Sequence, residues 1–298
     1  ATTYDQWDGH SVELDPTTRT VKRKFGAMML LSQDAYIAYV RKINAKGGVV
    51  VNNGGPATWT FNKENVIYTV ETGWGNDWCA GLHFAPTVIG LAAPNEMGSQ
   101  LKIHNDMLAK LEWGALYAYL FMSGQPLSYP AITTKMYPIT VTQIRPGTIE
   151  AAERIVTSRS GVYGWAGERD LHVVYVADAR GRMSDGRCLT TVDAAGARTR
   201  VDLRDNEIAV VVRTPIVIDA TGAINATVLQ YDADGIDVKL NGQGPVTLHI
   251  RDGAFGITPA VTYEVGEESV VAGNDGSISI ALALDGSTRS IRVAAAGE

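Results

Sequence analysis

The spacing of apolar positions changes character near residue 130. Before that point Ile37, Val40 and Ile43 recur at helical intervals after Ser32-Gln33-Asp34, with Lys42 and Lys46 late and Gly47-Gly48 as a stop, so a helix is predicted within 30–46. A second helix is predicted over Gln100 to Leu111, with Leu101, Met107, Leu108 and Leu111 on its apolar side. Between them stand two short β-branched runs, Val49-Val50-Val51 and Val66-Ile67-Tyr68-Thr69-Val70, which read as buried strands. Residues 82–93, bounded and interrupted by Pro86 and Pro94, fit neither pattern, and 113–120 fits a strand or an extension of the second helix. Beyond residue 130 the pattern alternates. Ile139–Ile144, His172–Val176, Ile208–Val212, Ile216–Ile218, Ala226–Leu229, Val238–Leu240, Val246–Ile250, Ser277–Ile280 and Ser290–Val293 are separated by Gly, Asp and Asn turns. Many short strands separated by turn signals predict an antiparallel β-sandwich.

In the first part each apolar run ends on polar residues: Asn52 and Asn53 after one strand, Glu71 after the next. Asp5 and Asp8, beside Gly9, complete a third such tip. Strand, polar tip and helix in succession is the rhythm of β/α units, whose functional groups gather at the carboxyl ends of parallel strands. The expected fold class is therefore α/β plus all-β: a (β/α) barrel-like N-terminal part, partial or complete by association, with a C-terminal antiparallel β-sandwich region. The expected domains are 1–132, barrel-like; 133–214, an accessory β-sandwich; and 215–298, a second β-rich region or a continuation of the sandwich, divided around Thr214-Pro215. A whole (β/α)8 barrel takes about 250 residues, so the first part is expected to be either a smaller open α/β arrangement or the closing half of a barrel. The expected completion is a missing N-terminal part or a second chain.

Composition narrows the chemistry. A net charge of −6 argues against nucleic acid as a partner, since phosphate needs a basic face. No apolar run reaches the roughly 18 residues of a membrane span, so no membrane partner is expected. Cys79 and Cys188 lack metal spacing and read as buried thiols, with a disulfide as the alternative. Catalytic zinc, a serine-hydrolase elbow and a nucleotide fingerprint all lack their motifs. No cofactor is expected. A structural calcium ion held by the Asp232-Ala233-Asp234-Gly235 turn, or by Asp202 with Asp205, is the metal expectation, although these are also common turn residues.

Carboxylates and indoles carry the candidate site. Glycosidic cleavage needs two carboxyl groups on opposite sides of the bond, and Asp8 and Glu71 are the pair the strand tips offer. Asp5 competes with Asp8. Five of the six tryptophans precede residue 130; Trp59, Trp74 and Trp78, interleaved with Asn52, Asn53 and Asp77, give the mix of rings and hydrogen-bonding groups that sugars require. His10, after Asp8-Gly9, joins the substrate-binding set. The competing reading of any one tryptophan is core filling, and of His83 or His104 a hydrogen-bonded structural role.

Tyr4-Asp5-Gln6-Trp7-Asp8-Gly9, Val49-Val50-Val51-Asn52-Asn53-Gly54 and Tyr68-Thr69-Val70-Glu71-Thr72-Gly73 together resemble the closing half of a (β/α)8 glycoside hydrolase. Lys135–Thr140, Glu153–Thr157 and Ser160–Trp165 resemble the entry to the β-sandwich such barrels carry. The resemblance implies hydrolysis of a poly- or oligosaccharide, in an extracellular or periplasmic setting. The alternative is a non-catalytic carbohydrate-binding protein, or a structural β-rich component of a phage or cell surface.

Overall fold

The computed structural model describes residues 11–25, 28–53, 60–71, 88–91, 100–112, 114, 116–118, 131–184, 188–251, 256–265 and 268–295. Its contacts divide the chain into two units, Ala1–Leu127 and Ser128–Glu298.

The first unit contains a hairpin, β1 (Ser11–Leu14) with β2 (Val21–Phe25), and a four-stranded sheet. Helix α1 (Met28–Asn44) precedes that sheet. It buries Ile37 and Val40, one turn apart, and ends where the amides of Gly47 and Gly48 return to the carbonyls of Asn44 (2.9 Å) and Ile43 (3.1 Å). Gly47 sits at φ +76, where a side chain would be strained. From the last turns of α1, Arg41 binds Glu64 through Nε (3.0 Å) and Nη2 (2.7 Å), and Asn44 Nδ2 donates to the Asn65 carbonyl (3.1 Å). Phe61, fully buried and edge-on to Tyr36, fills the space beneath. These contacts fix the approach to strand β4 (Val66–Glu71), which pairs in parallel with β3 (Val50–Asn53). Strands β5 (Val88–Leu91) and β6 (Leu116–Ala118) continue the sheet, all parallel and in sequence order. Before β6 comes α2 (Gln100–Glu112), which buries His104, Met107, Lys110 and Leu111, whereas Leu101 is 54% exposed rather than on the apolar side.

The second unit opens with a short helix, α3 (Ala131–Lys135), and is otherwise antiparallel β. Its strands are β7 (Val141–Arg145), β8 (Thr148–Ala151), β9 (Arg154–Thr157), β10 (Gly161–Tyr163), β11 (Asp170–Ala177), β12 (Met183–Ser184) and β13 (Cys188–Asp193). They continue with β14 (Gly196–Val201), β15 (Ile208–Ala220), β16 (Ile224–Asp232), β17 (Gly235–Ile250), β18 (Thr262–Val265), β19 (Glu268–Val271) and β20 (Ile278–Ala295). All fourteen form one sheet, whose main path is β10-β14-β13-β16-β17-β15-β9-β8-β7. The sheet curls into a half-barrel. Register shifts at Asp170/His172, Val228/Gln230 and Asn241/Gln243 let the long strands bend.

Two cores explain why some strands are apolar throughout and others alternate. Leu171 and Val173 of β11 join Ile216, Ile218, Leu248, Ile250, Ile278 and Ile280 in the larger core. The alternate residues Val174 and Val176 join Ile155, Tyr163, Val201, Ala209 and Val211 in the smaller one. A strand covered on both faces needs apolar side chains at every position, as Val173-Val174-Tyr175-Val176 and Ala209-Val210-Val211 have. In β15 the partners change midway. Ala209–Val212 pairs with β9 on one edge and β11 on the other, while Ile216–Ala220 pairs with β17. Pro215, which has no amide to donate, stands at the change, with Thr214 Oγ1 donating to the Leu171 carbonyl (2.8 Å).

These findings correct the expected fold class and the expected resemblance. The described chain is predominantly all-β, with three α-helices and no (β/α)8 pattern. Alternating strand and helix signals describe any parallel sheet, and four strands in sequence do not specify closure into a barrel. The antiparallel strands after residue 132 form a single curled sheet rather than an α/β barrel's accessory sandwich, because strands of 13, 16 and 18 residues carry bulges that short-strand spacing does not announce.

Candidate functional site

The carboxyl edge of the parallel sheet brings predicted residues together. Asn52 and Asn53 are the last two residues of β3, and Glu71 is the last of β4. Asn52 aligns with Tyr68 and Asn53 with Thr69, so Glu71 lies two residues further along the neighbouring strand. At about 4.8 Å between strands and about 3.3 Å per residue, the Cα atoms of Asn53 and Glu71 are roughly 8 Å apart. Asn53, Thr69 and Glu71 fall in the same phase of the two-residue alternation, and Asn52 in the other. Glu71 aligns with Leu91 at the carboxyl end of β5, and Leu91 with Ala118 at that of β6. All four strands therefore end toward one edge, where a ligand of a parallel α/β sheet binds. Asp5, Asp8, His10, Trp59, Trp74, Asp77 and Trp78 lie outside the described residues, as do Cys79 and His83.

The second unit contains a buried polar relay that the sequence reading did not single out. His172 Nδ1 lies 2.7 Å from Thr199 Oγ1, which lies 2.6 Å from Thr190 Oγ1, and all three residues are buried. The His172 ring meets Trp165 edge-to-face at 5.0 Å, and Trp165 anchors its indole on the Ala151 carbonyl (2.7 Å). The Arg213 guanidinium lies over the Trp165 ring at 5.4 Å and binds Asp170 and, at 3.3 Å, Glu168. Burial pushes His172 down to about 4; the nearby Asp170 carboxylate opposes that shift and the Arg213 charge adds to it. Its imidazole is thus neutral at pH 7. The signal in the sequence was a histidine and two threonines inside apolar alternation, where unpaired polar groups would be costly.

A second cluster surrounds Tyr175. Lys135 Nζ sits 4.6 Å above its ring, and burial, reinforced by Asp232, raises the Tyr175 hydroxyl above the usual phenol range. Arg154, 8% exposed, donates from Nη1 to the carbonyls of Lys135 and Tyr137, leaving its buried Nε without a hydrogen-bond partner. Desolvation lowers its pKa from the ordinary arginine value. These contacts pin the segment after α3 onto β9 and β11.

Among the described residues, no three His, Cys, Asp or Glu side chains converge to hold a metal ion. Asp232 Oδ1 accepts from Gln230 Nε2 (2.9 Å) and the Asp234 amide (3.0 Å), closing its own turn, and Asp202 binds Arg200. Cys188 is half-buried against the smaller core. No helix among the described residues is long and apolar enough to cross a membrane.

The chain matches no protein-family model, no curated protein and no solved structure. The resemblance to barrel glycosidases therefore finds no support in a relative's name, and the barrel itself is overturned by the mainly antiparallel fold.

Proposed function

We propose that the first unit takes a poly- or oligosaccharide at the carboxyl edge of its parallel sheet, and that Glu71 is the carboxylate through which it would act on a glycosidic bond. One observation carries the reading: Asn53 and Glu71 end adjacent parallel strands in phase, roughly 8 Å apart. An amide there would hold a sugar hydroxyl, and a carboxylate would serve as acid, base or nucleophile. Asn52 is a further hydroxyl-binding candidate at the same edge, and Asp8 is the proposed second carboxylate. Trp59, Trp74 and Trp78 are the proposed stacking surfaces, with Asp5, His10 and Asp77 as polar contacts. The proposed chemistry uses no cofactor.

The test is to incubate the full chain with a panel of plant, fungal and bacterial polysaccharides, measuring both bound sugar and released reducing ends. Glu71→Gln is expected to abolish release, lowering kcat about 10³-fold or more, while changing the affinity for the same sugar only a few-fold. Wild-type release by Glu71→Gln overturns the role of Glu71. Binding without release in the native chain supports the second reading, a non-catalytic carbohydrate-binding protein. Failure to bind any sugar overturns both.

A further inference from the structure

The outer edge of β20 is long and, over most of its length, has no paired strand among the described residues. Among the described residues, β20 pairs with β17 from Ile278 to Val293 and with β18 only from Val293 to Ala295. No described strand pairs with its other edge from Ile278 to Arg292, so among the described residues the backbone there presents a row of open donors and acceptors. Edge strands are ordinarily protected by Lys, Pro, an inward charge or a bulge. Ile278-Ser279-Ile280-Ala281-Leu282-Ala283-Leu284 carries no charge and no proline. Protection begins only at Asp285-Gly286-Ser287, where Asp285 Oδ1 accepts from the Ser287 amide (2.9 Å) and hydroxyl (2.6 Å) and the register with β17 shifts.

The open segment is also self-complementary. Antiparallel pairing about Ala281 sets Ile278 opposite Leu284, Ser279 opposite Ala283 and Ile280 opposite Leu282. The large residues all belong to the inner face, where Ile278 is fully buried and Ile280 and Leu284 nearly so. The small residues Ser279, Ala281 and Ala283 are all exposed on the outer face. Two copies joined this way continue both the apolar inner layer and the small outer layer across a two-fold axis, with no charge brought against another.

We propose that β20 is a docking edge for a second copy of this chain, which adds its own β20 antiparallel about Ala281 to give an isologous dimer with one sheet running through both subunits. Seven residues a side make a small interface, so association falls in the micromolar range. This inference uses no residue of the first unit and stands apart from the carbohydrate reading.

The test needs no ligand: analytical ultracentrifugation of the full chain from about 1 to about 100 µM. A concentration-dependent dimer is expected. Ala281→Lys sets two lysine side chains directly opposite each other, with their Cβ atoms about 5 Å apart, and Ala281→Glu does the same with two carboxylate side chains. Because Ala281 is exposed, both variants keep the fold, checked by circular dichroism. Each alone is expected to be monomeric over the same range, and an equimolar mixture of the two is expected to regain the dimer. A wild-type chain that stays monomeric to about 100 µM, or a dimer that Ala281→Lys leaves as tight as before, overturns the proposal.

Discussion

Acid weakens the second unit through His172. The imidazole is 2% exposed, faces Trp165, Thr199, Asp170 and Arg213, and holds its proton only below about pH 4, compared with 6.5 in the ordinary state. In the unfolded chain the same ring takes a proton as the pH falls through 6.5, so between 6.5 and about 4 the unfolded state binds more protons than the folded one. Stability supplied by the neutral ring is complete above 6.5 and is lost as the pH falls toward about 4. The difference between those two values corresponds to about 3 kcal/mol. The check is urea unfolding followed by far-ultraviolet circular dichroism at several pH values from 7 to 4, for the native chain and for His172→Gln, which keeps a hydrogen-bonding group near Thr199 but has no proton to gain. Carboxylates titrate in both proteins, so the difference between the two curves isolates the histidine. The native chain is expected to lose about 3 kcal/mol more than the variant by pH 4. Parallel curves across that range would refute the reasoning.

Two further substitutions test the packing around this relay. Thr199→Val removes the hydroxyl between His172 and Thr190 and leaves buried groups unpaired, so it is expected to cost about 1 to 3 kcal/mol in chemical denaturation. Gly164→Ala sets a methyl 2.4 Å from the Ala197 carbonyl oxygen, where backbone must move; it is expected to lower stability by about 1 to 3 kcal/mol, read as a fall in Tm.

Local features of the fold were legible in the sequence where one residue type controls them. The α1 stop at Gly47-Gly48, the strands ending at Asn53 and Glu71, and the turn at Asp232–Gly235 follow from glycine, β-branched and aspartate chemistry at single positions. Closure was not legible, because the same Val-rich strand can sit in a barrel, an open parallel sheet or the middle of two cores. Val173-Val174-Tyr175-Val176 became a strand covered on both faces only because residues from other strands in two separate cores pack against its alternate side chains, and no residue within the run records that. At the candidate site, Asn53 and Glu71 were singled out from their places at the ends of apolar runs, and the register supplied the fact that they are in phase while Asn52 is not. His172 was passed over because a histidine inside an apolar run reads as a core position until Thr199 is seen beside it.

The change of partners within β15 bears on how this protein could be divided. Thr214-Pro215 is where the sequence suggests a division of the β region, yet the strand passes through it without a break, and each half of β15 completes the hydrogen bonding of a different group of strands. Neither 133–214 nor 215–298 owns a closed set of backbone partners. A gene fusion, a deletion or a recombination event with its breakpoint at 214 would leave two half-strands, each cut from the other half of the strand it belongs to.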